Sequence, residues 1–260
     1  MDFTHRRYRE LIGALIENGY RFCTFRSLSS PNACGAPRVL LRHDVDRLPS
    51  RALQLARLEK ELDVSSTYFF RVKGVSFHRP TIGKIAGLGH EIGYHYEDLS
   101  DAGGDAVRAI ESFKQNLRKF DEFGGVSSIA MHGRPFSKWD NRDLWKDFDY
   151  RDYGPLVEAY RDVESSGFFY FTDVGRCWNS RSNQRDHLNR LAKEALDRQP
   201  AGTRDLIRFI AGRHADMIIS THPERWTDGP IGWLQVLVVD EAISLVKKAF
   251  LSRRGIGRAS

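Results

Sequence analysis

Short apolar runs alternate with amphipathic stretches along most of the chain. RVLL (38–41), STYFFRV (66–72), HEIGYH (90–95), VSSIAMHG (126–133), GFFYFTD (167–173) and DMIISTH (216–222) have strand-like length and composition. Between them, RALQLARLEKEL places Leu55, Leu58 and Leu62 on one helical face, with Ser50 as its candidate cap. TIGKIAGL, GGDAVRAIESFKQNLRKF and TRDLIRFIAG also read as helices, and IGWLQVLVVDEAISLVKKAF closes the chain as another. This alternation predicts parallel strands joined by crossover helices, an α/β fold.

In the barrel form of such a sheet, chemistry gathers where the strands end, on their carboxyl side. Asp44 and Asp46 end the first of these runs, His95 the third, His132 the fourth, Asp173 the next and His222 the last. Scattered surface polar residues would not be expected at the same end of five separate runs.

Strand alternation sorts these residues further. Asp44 and Asp46 in RHDVD are two apart, so their carboxylates share a face and repel unless a cation or proton lies between them. One then suits a metal and the other proton transfer; the plain alternative is a strand end in which Asp46 caps the next helix. HEIGYHYED resembles the zinc-protease signature H-E-x-x-H, but His90 and His95 are five apart and cannot serve one metal from a helix. As a strand, the segment turns His95 with Glu91 and Gly93 to one face and His90 to the other. His95 is therefore the site candidate and His90 a structural hydrogen-bonder. MHGRP offers His132 and Arg134 at a strand end, and FTDVGRCW offers Asp173 to orient a histidine or hold an arginine. His222 in ISTHP, taken alone, is as consistent with packing as with chemistry.

Composition narrows the class. Of 260 residues, 41% are hydrophobic and 28% charged, the balance of a globular protein, and no run approaches the roughly 18 apolar residues of a membrane span. The N-terminal MDFTHRRYRELIGALIENGYRF lacks the apolar core of a secretory signal. Three cysteines, Cys23, Cys34 and Cys177, read as free thiols in a reducing compartment, which predicts a cytoplasmic protein. The net charge of +6 comes partly from a tail, Lys247 to Ser260, that has no acidic residue. Elsewhere basic and acidic residues are interspersed, which argues against nucleic acid as a partner. RPFSKWDNRDLWKDFDYRDYG (134–154) is aromatic without a regular period. Trp139, Trp145 and Tyr150 there suit a lid that offers flat rings to a sugar, or a loop pinned to the barrel by those rings.

LLRHDVD, GHEIGYH, RPFS, FTDVGRCW and ISTHP follow one another over residues 39–223 in an order that resembles the motifs of the polysaccharide deacetylase family, carbohydrate esterase family four. The resemblance implies a distorted (β/α) barrel of about seven parallel strands over residues 38–250. An accessory helical segment (1–37) would precede it and a basic tail (251–260) would follow. It further implies a divalent-metal hydrolase of non-peptide C–N bonds, removing an acetyl or formyl group from an amino-sugar unit. By carry-over, Asp44 matches the general base, Asp46 and His95 metal ligands, His222 the general acid, Arg134 the arginine that orients the base, and Asp173 the carboxylate that tunes His222. A second alignment puts His132 in the orienting arginine's place.

The family's second metal histidine falls at Leu99, which cannot ligate. Glu97 and His132 are the candidate replacements, with His43 a third. Asp46, His95 and either Glu97 or His132 would form an N/O donor set suited to zinc. The implied substrate is a surface-polysaccharide precursor whose nucleotide or lipid linkage would carry phosphate. The competing readings are a saccharide-binding barrel that has lost its metal, for which Leu99 speaks, and a hydrolase of another C–N bond.

Overall fold

The computed structural model describes residues 1–29, 37–134, 137–163, 167–178, 200–230 and 232–238. Eight strands form one sheet: β1 Arg21–Cys23, β2 Arg38–Val45, β3 Thr67–Phe70, β4 Glu91–Tyr96, β5 Ser128–Met131, β6 Val157–Glu158, β7 Phe169–Thr172 and β8 Met217–Thr221. Seven run in the order β6-β5-β4-β3-β2-β8-β7, every pair is parallel, and the sheet curls into an open half-barrel. The expected α/β barrel of about seven strands is thus the observed architecture. β1 pairs with residues 38–40 of β2 and so lies in line with β3, which pairs with residues 42–45.

Helices α1 His5–Glu17, α2 Pro49–Glu61, α3 Arg79–Gly87, α4 Asp98–Asp101, α5 Ala106–Arg118 and α6 Thr203–Ile210 accompany the sheet. Thr4 caps α1 by accepting from the Arg7 amide at 3.2 Å, and Asp105 caps α5 in the same way through Arg108. Ser50 is not the cap of α2. Pro49 opens that helix with a preset backbone angle after Leu48, so Ser50 lies within the first turn.

The apolar face of α1, with Leu11, Ile12 and Leu15 fully buried, joins Leu206 and Ile210 of α6 over Val39, Leu41, Met217 and Ile219. Each such side chain stabilises the fold by about 1.5–3 kcal/mol. A larger cluster fills the concave interior and the space beneath α2, α3 and α5. Gly93 is required there: a Cβ would stand 2.4 Å from the Phe69 ring and 3.1 Å from Ser128 Oγ. The missing side chain lets Phe69 cross the interior.

Behind the sheet, Glu59 of α2 is fully buried and accepts hydrogen bonds from Tyr8 Oη, Tyr68 Oη (2.7 Å), Ser66 Oγ (2.7 Å) and His43 Nε2 (2.8 Å). His43 Nδ1 meets Thr221 Oγ1 at 2.6 Å, and His90 Nε2 meets the Ala56 carbonyl at 2.9 Å. His90 is the structural hydrogen-bonder its strand parity predicts, and both nitrogens of His43 are occupied away from the strand ends.

Cys177 donates its thiol to the Val174 carbonyl at 3.7 Å, but Cys23 is disulfide-bonded. The expectation of three free thiols is therefore corrected, and with it the thiol argument for a reducing compartment. Cys34 and most of the predicted closing helix lie outside the described residues, as does the basic tail. Among the described residues no helix is long and apolar enough to cross a membrane.

Candidate metal centre and acid–base pair

Three strand exits converge at the carboxyl end of the half-barrel. Asp46 follows β2, His95 is the penultimate residue of β4, and His132 follows β5. One ligand atom from each lies within 4.8 Å of the others. Asp46 Oδ1 is 3.8 Å from His95 Nε2 and 3.6 Å from His132 Nε2, and it is a buried oxygen with no hydrogen-bond partner.

The second nitrogen of each imidazole is already fixed. His95 Nδ1 donates to the Ala130 carbonyl at 3.0 Å, and His132 Nδ1 to Glu97 Oε2 at 3.0 Å. Both Nε2 lone pairs are thereby turned toward Asp46, the arrangement in which metal-binding histidines are found. Burial, with the neighbouring His132, presses His95 down to about 4, so its ring is neutral and able to ligate at neutral pH. An ion about 2.0–2.2 Å from such donors requires only a small contraction of the set. The residues therefore fit a divalent cation.

Of the replacements considered for Leu99, His132 lies with Asp46 and His95, and Glu97 accepts its Nδ1–H. Glu97 is also gripped by Arg71 at 2.8 and 2.9 Å, and its charge lies 3.6 Å from Lys73 Nζ. Leu99 itself is buried in the hydrophobic core.

Asp44 lies beside the triad, 3.8 Å from His95 Nε2. Arg42, two residues earlier on the same face of β2, clasps it with Nε–Oδ1 at 2.8 Å and Nη2–Oδ2 at 2.9 Å. Burial alone would lift the Asp44 carboxyl; Arg42, joined by His95 and His222, outweighs it and holds the group down to about 2. Arg134 is not at this carboxylate but pairs with Asp101. The clasp by Arg42 was missed, although the parity that groups Asp44 with Asp46 also groups Arg42 with both.

Across the mouth, His222 Nδ1 meets Asp173 Oδ1 at 2.7 Å, and Asp173 Oδ2 accepts the His222 amide at 2.9 Å. Arg225 Nη1 (2.8 Å) and Trp226 Nε1 (2.9 Å) complete the grip on Asp173, which is fully buried. Burial and Arg225 press His222 down, but the charge and hydrogen bond of Asp173, with Asp46, more than offset them, so its pKa is raised. Glu224, two residues on, is buried against Arg47 and is an electrostatic neighbour of Asp46; the sequence reading passed over it.

The aromatic stretch divides in two. Trp145 is buried, donates to Tyr96 Oη at 2.8 Å and packs on Phe113; Tyr150 is buried and donates to Asp162 at 2.8 Å. Both pin the loop to the barrel. Trp139 is half-buried, its ring resting against Gly104 with Lys138 Nζ 4.7 Å from its centre.

Fold and geometry together define a curled parallel α/β half-barrel with an Asp–His–His cluster that could hold a cation at its carboxyl rim. No family model matches the chain, and no curated protein matches it. Similar solved structures include a Streptococcus pyogenes deacetylase, PplD, in complex with acetate, at 13% identity and a TM-score of 0.42, covering 59% of this chain and 79% of that one. A family 4 carbohydrate esterase from Bacillus anthracis is similar at 12% identity and a TM-score of 0.38, covering 93% of this chain and 85% of that one.

Proposed function

We propose that this protein is a metal-dependent hydrolase that removes an N-acyl group, acetyl or formyl, from an amino-sugar unit. The observation that carries the reading is the meeting of Asp46, His95 and His132 beside Asp44 on one side and His222 on the other. Zinc suits the two-nitrogen, one-oxygen donor set. When bound, a divalent ion would polarise the amide carbonyl and make water acidic enough to attack at neutral pH.

The remaining steps belong to the side chains. Asp44, held ionised by Arg42, takes the proton from the attacking water. His222, whose Nδ1–H is held by Asp173, presents Nε2 and gives its proton to the departing amine nitrogen. Its raised pKa favours the protonated form that this step requires. The alternative of a barrel that has lost its metal draws no support from Leu99, because His132 provides the third donor.

The substrate we propose is a phosphate-bearing surface-polysaccharide precursor, nucleotide- or lipid-linked. Its support is the group of three cations, Arg71, Lys73 and Arg134, that gathers around Glu97 and Asp101. Glu97 already receives His132, so the rim favours an anionic substituent.

Elemental analysis of purified protein, with acyl release measured from N-acetylglucosamine and its phosphate ester, tests the proposal. About one divalent ion per chain and faster turnover of the ester, weakened by salt, are expected. Absence of both the ion and hydrolysis would refute the enzyme reading. Equal rates on the two sugars would remove the phosphate.

A further inference from the structure

The concave face of the sheet is layered, because in-register residues of parallel strands point inward together. One layer is polar from end to end. Glu91, Thr67, Arg42, Ser220 and Thr172 stand in register across β4, β3, β2, β8 and β7. Below it lie Leu40, Ile218 and Tyr170, and Asp44 stands one layer above on β2.

The two halves of this row differ. On the Glu91 side every group is engaged: Thr67 Oγ1 donates to Glu91 Oε2 at 3.0 Å, Ser128 Oγ to Oε1 at 2.7 Å, and the Arg26 amide to Oε2 at 2.9 Å. On the other side, Arg42 Nη1, Ser220 Oγ and Thr172 Oγ1 have no hydrogen-bond partner among the described residues. All three residues are at most 1% exposed. Natural interiors leave very few such groups unsatisfied, so three in one register row point to a bound polar species.

Its chemistry follows from the groups. Arg42 Nη1 can only donate, whereas each hydroxyl can donate or accept. The charge of Arg42 is already neutralised in-plane by Asp44, so a further anion would meet that carboxylate at close range. A neutral molecule that accepts from the guanidinium and exchanges hydrogen bonds with the hydroxyls satisfies all three, and water is the smallest that can.

We propose that Arg42, Ser220 and Thr172 bind ordered water behind the general base. Arg42 is then held at each nitrogen: Nε and Nη2 by Asp44, Nη1 by water. Its guanidinium is also flanked by Tyr160 at 4.4 Å and Phe69 at 5.3 Å. Ser220 and Thr172 are positioning residues that act on Asp44 through the water and through Arg42. The water site stands on the geometry alone; its effect on turnover rests on the deacylase reading.

A high-resolution crystal structure of the full chain is expected to show water within hydrogen-bond distance of Arg42 Nη1 and at least one hydroxyl. In Ser220→Ala combined with Thr172→Val that density is lost and the melting temperature falls. Idle hydroxyls would give the opposite sign, because removing unpaired buried polar atoms raises stability or leaves it level. With substrate, the double variant lowers kcat about tenfold with KM unchanged, and Thr172→Ser, which keeps the hydroxyl, restores it. A dry row in the wild-type crystal, or a double variant that melts no lower than the parent, overturns the water site. An enzyme inactive in all forms leaves those two readouts intact and instead refutes the deacylase reading. Equal kcat in parent and double variant removes the positioning role.

Discussion

Among the described residues, two clusters share the same ingredients, one carboxylate between two histidines, on opposite faces of one sheet. Behind it, Glu59 stands with His43 and His90; at its carboxyl rim, Asp46 stands with His95 and His132. The rear cluster is closed. Glu59 takes three hydroxyl donors and an imidazole N–H, and His43 has no nitrogen to spare. The front cluster is open, since each imidazole spends Nδ1 on a carbonyl or carboxylate and leaves Nε2 facing an oxygen with no hydrogen-bond partner among the described residues. Residue types are alike in the two places, and the rear cluster is the more deeply buried. What separates a candidate site from a structural knot is where the unused valences point.

Removing ligands should break the comparison most sharply. His95→Ala or His132→Ala is expected to bring bound metal and turnover to background, while His90→Ala retains both; elemental analysis beside an activity assay reads the difference. Metal loss in His90→Ala alone would reverse the assignment.

Next in size, Asp44→Asn should cost about 10²–10⁴ in kcat with metal content unchanged. An undiminished rate there removes Asp44 from proton transfer.

A smaller effect is expected at Asp173, which raises the His222 pKa by charge and hydrogen bond. The protonated acid is the working form, so activity is lost as pH rises through that pKa. Asp173→Asn removes the raising partner, and the basic limb of the pH–rate profile should move to lower pH, with kcat down about 10–100-fold. A basic limb that stays in place shows that another group sets it.

The rear cluster should register in stability rather than in rate. Burial alone would raise Glu59, but His43, His90 and the Tyr8 hydroxyl bring it down to about 2. Its folded pKa is therefore below its unfolded value of about 4.5. The stabilisation is full above that value and is lost as pH falls through about 2, a contribution on the order of 3 kcal/mol. Glu59→Gln should lower the melting temperature at neutral pH and flatten its acid dependence, leaving metal affinity unchanged. A metal site weakened by this change would mean that the clusters are coupled through the sheet.

Much of this architecture was legible in the chain, because period-two alternation and apolar run length report directly on burial in strands. Parity alone separated His95 from His90, and applied to His43 it also turns that ring away from Asp44 and Asp46. Choosing between Glu97 and His132 was beyond it, since both follow strand ends and only the packing of neighbouring exits ranks them. The clasp on Asp44 was missed because an arginine was sought at a distant motif, although Arg42 was two residues away. Trp145 and Tyr150 were unreadable for a different reason. Charged neighbours such as Lys146 and Arg151 surround them in sequence, and an aperiodic loop gives no face to assign. The bonded Cys23 lay outside what an odd count of cysteines could reveal.

Glu97 joins the two halves of the proposed activity. A single carboxylate accepts the Nδ1 proton of His132 and simultaneously holds Arg71, with Lys73 close by. A negatively charged guest drawing those cations outward would leave Glu97 a stronger acceptor, and His132 a more electron-rich donor. Thermodynamic reciprocity then requires that whatever factor the guest adds to cation affinity, the cation returns to the guest. Ion and sugar would thus each help to retain the other through one side chain.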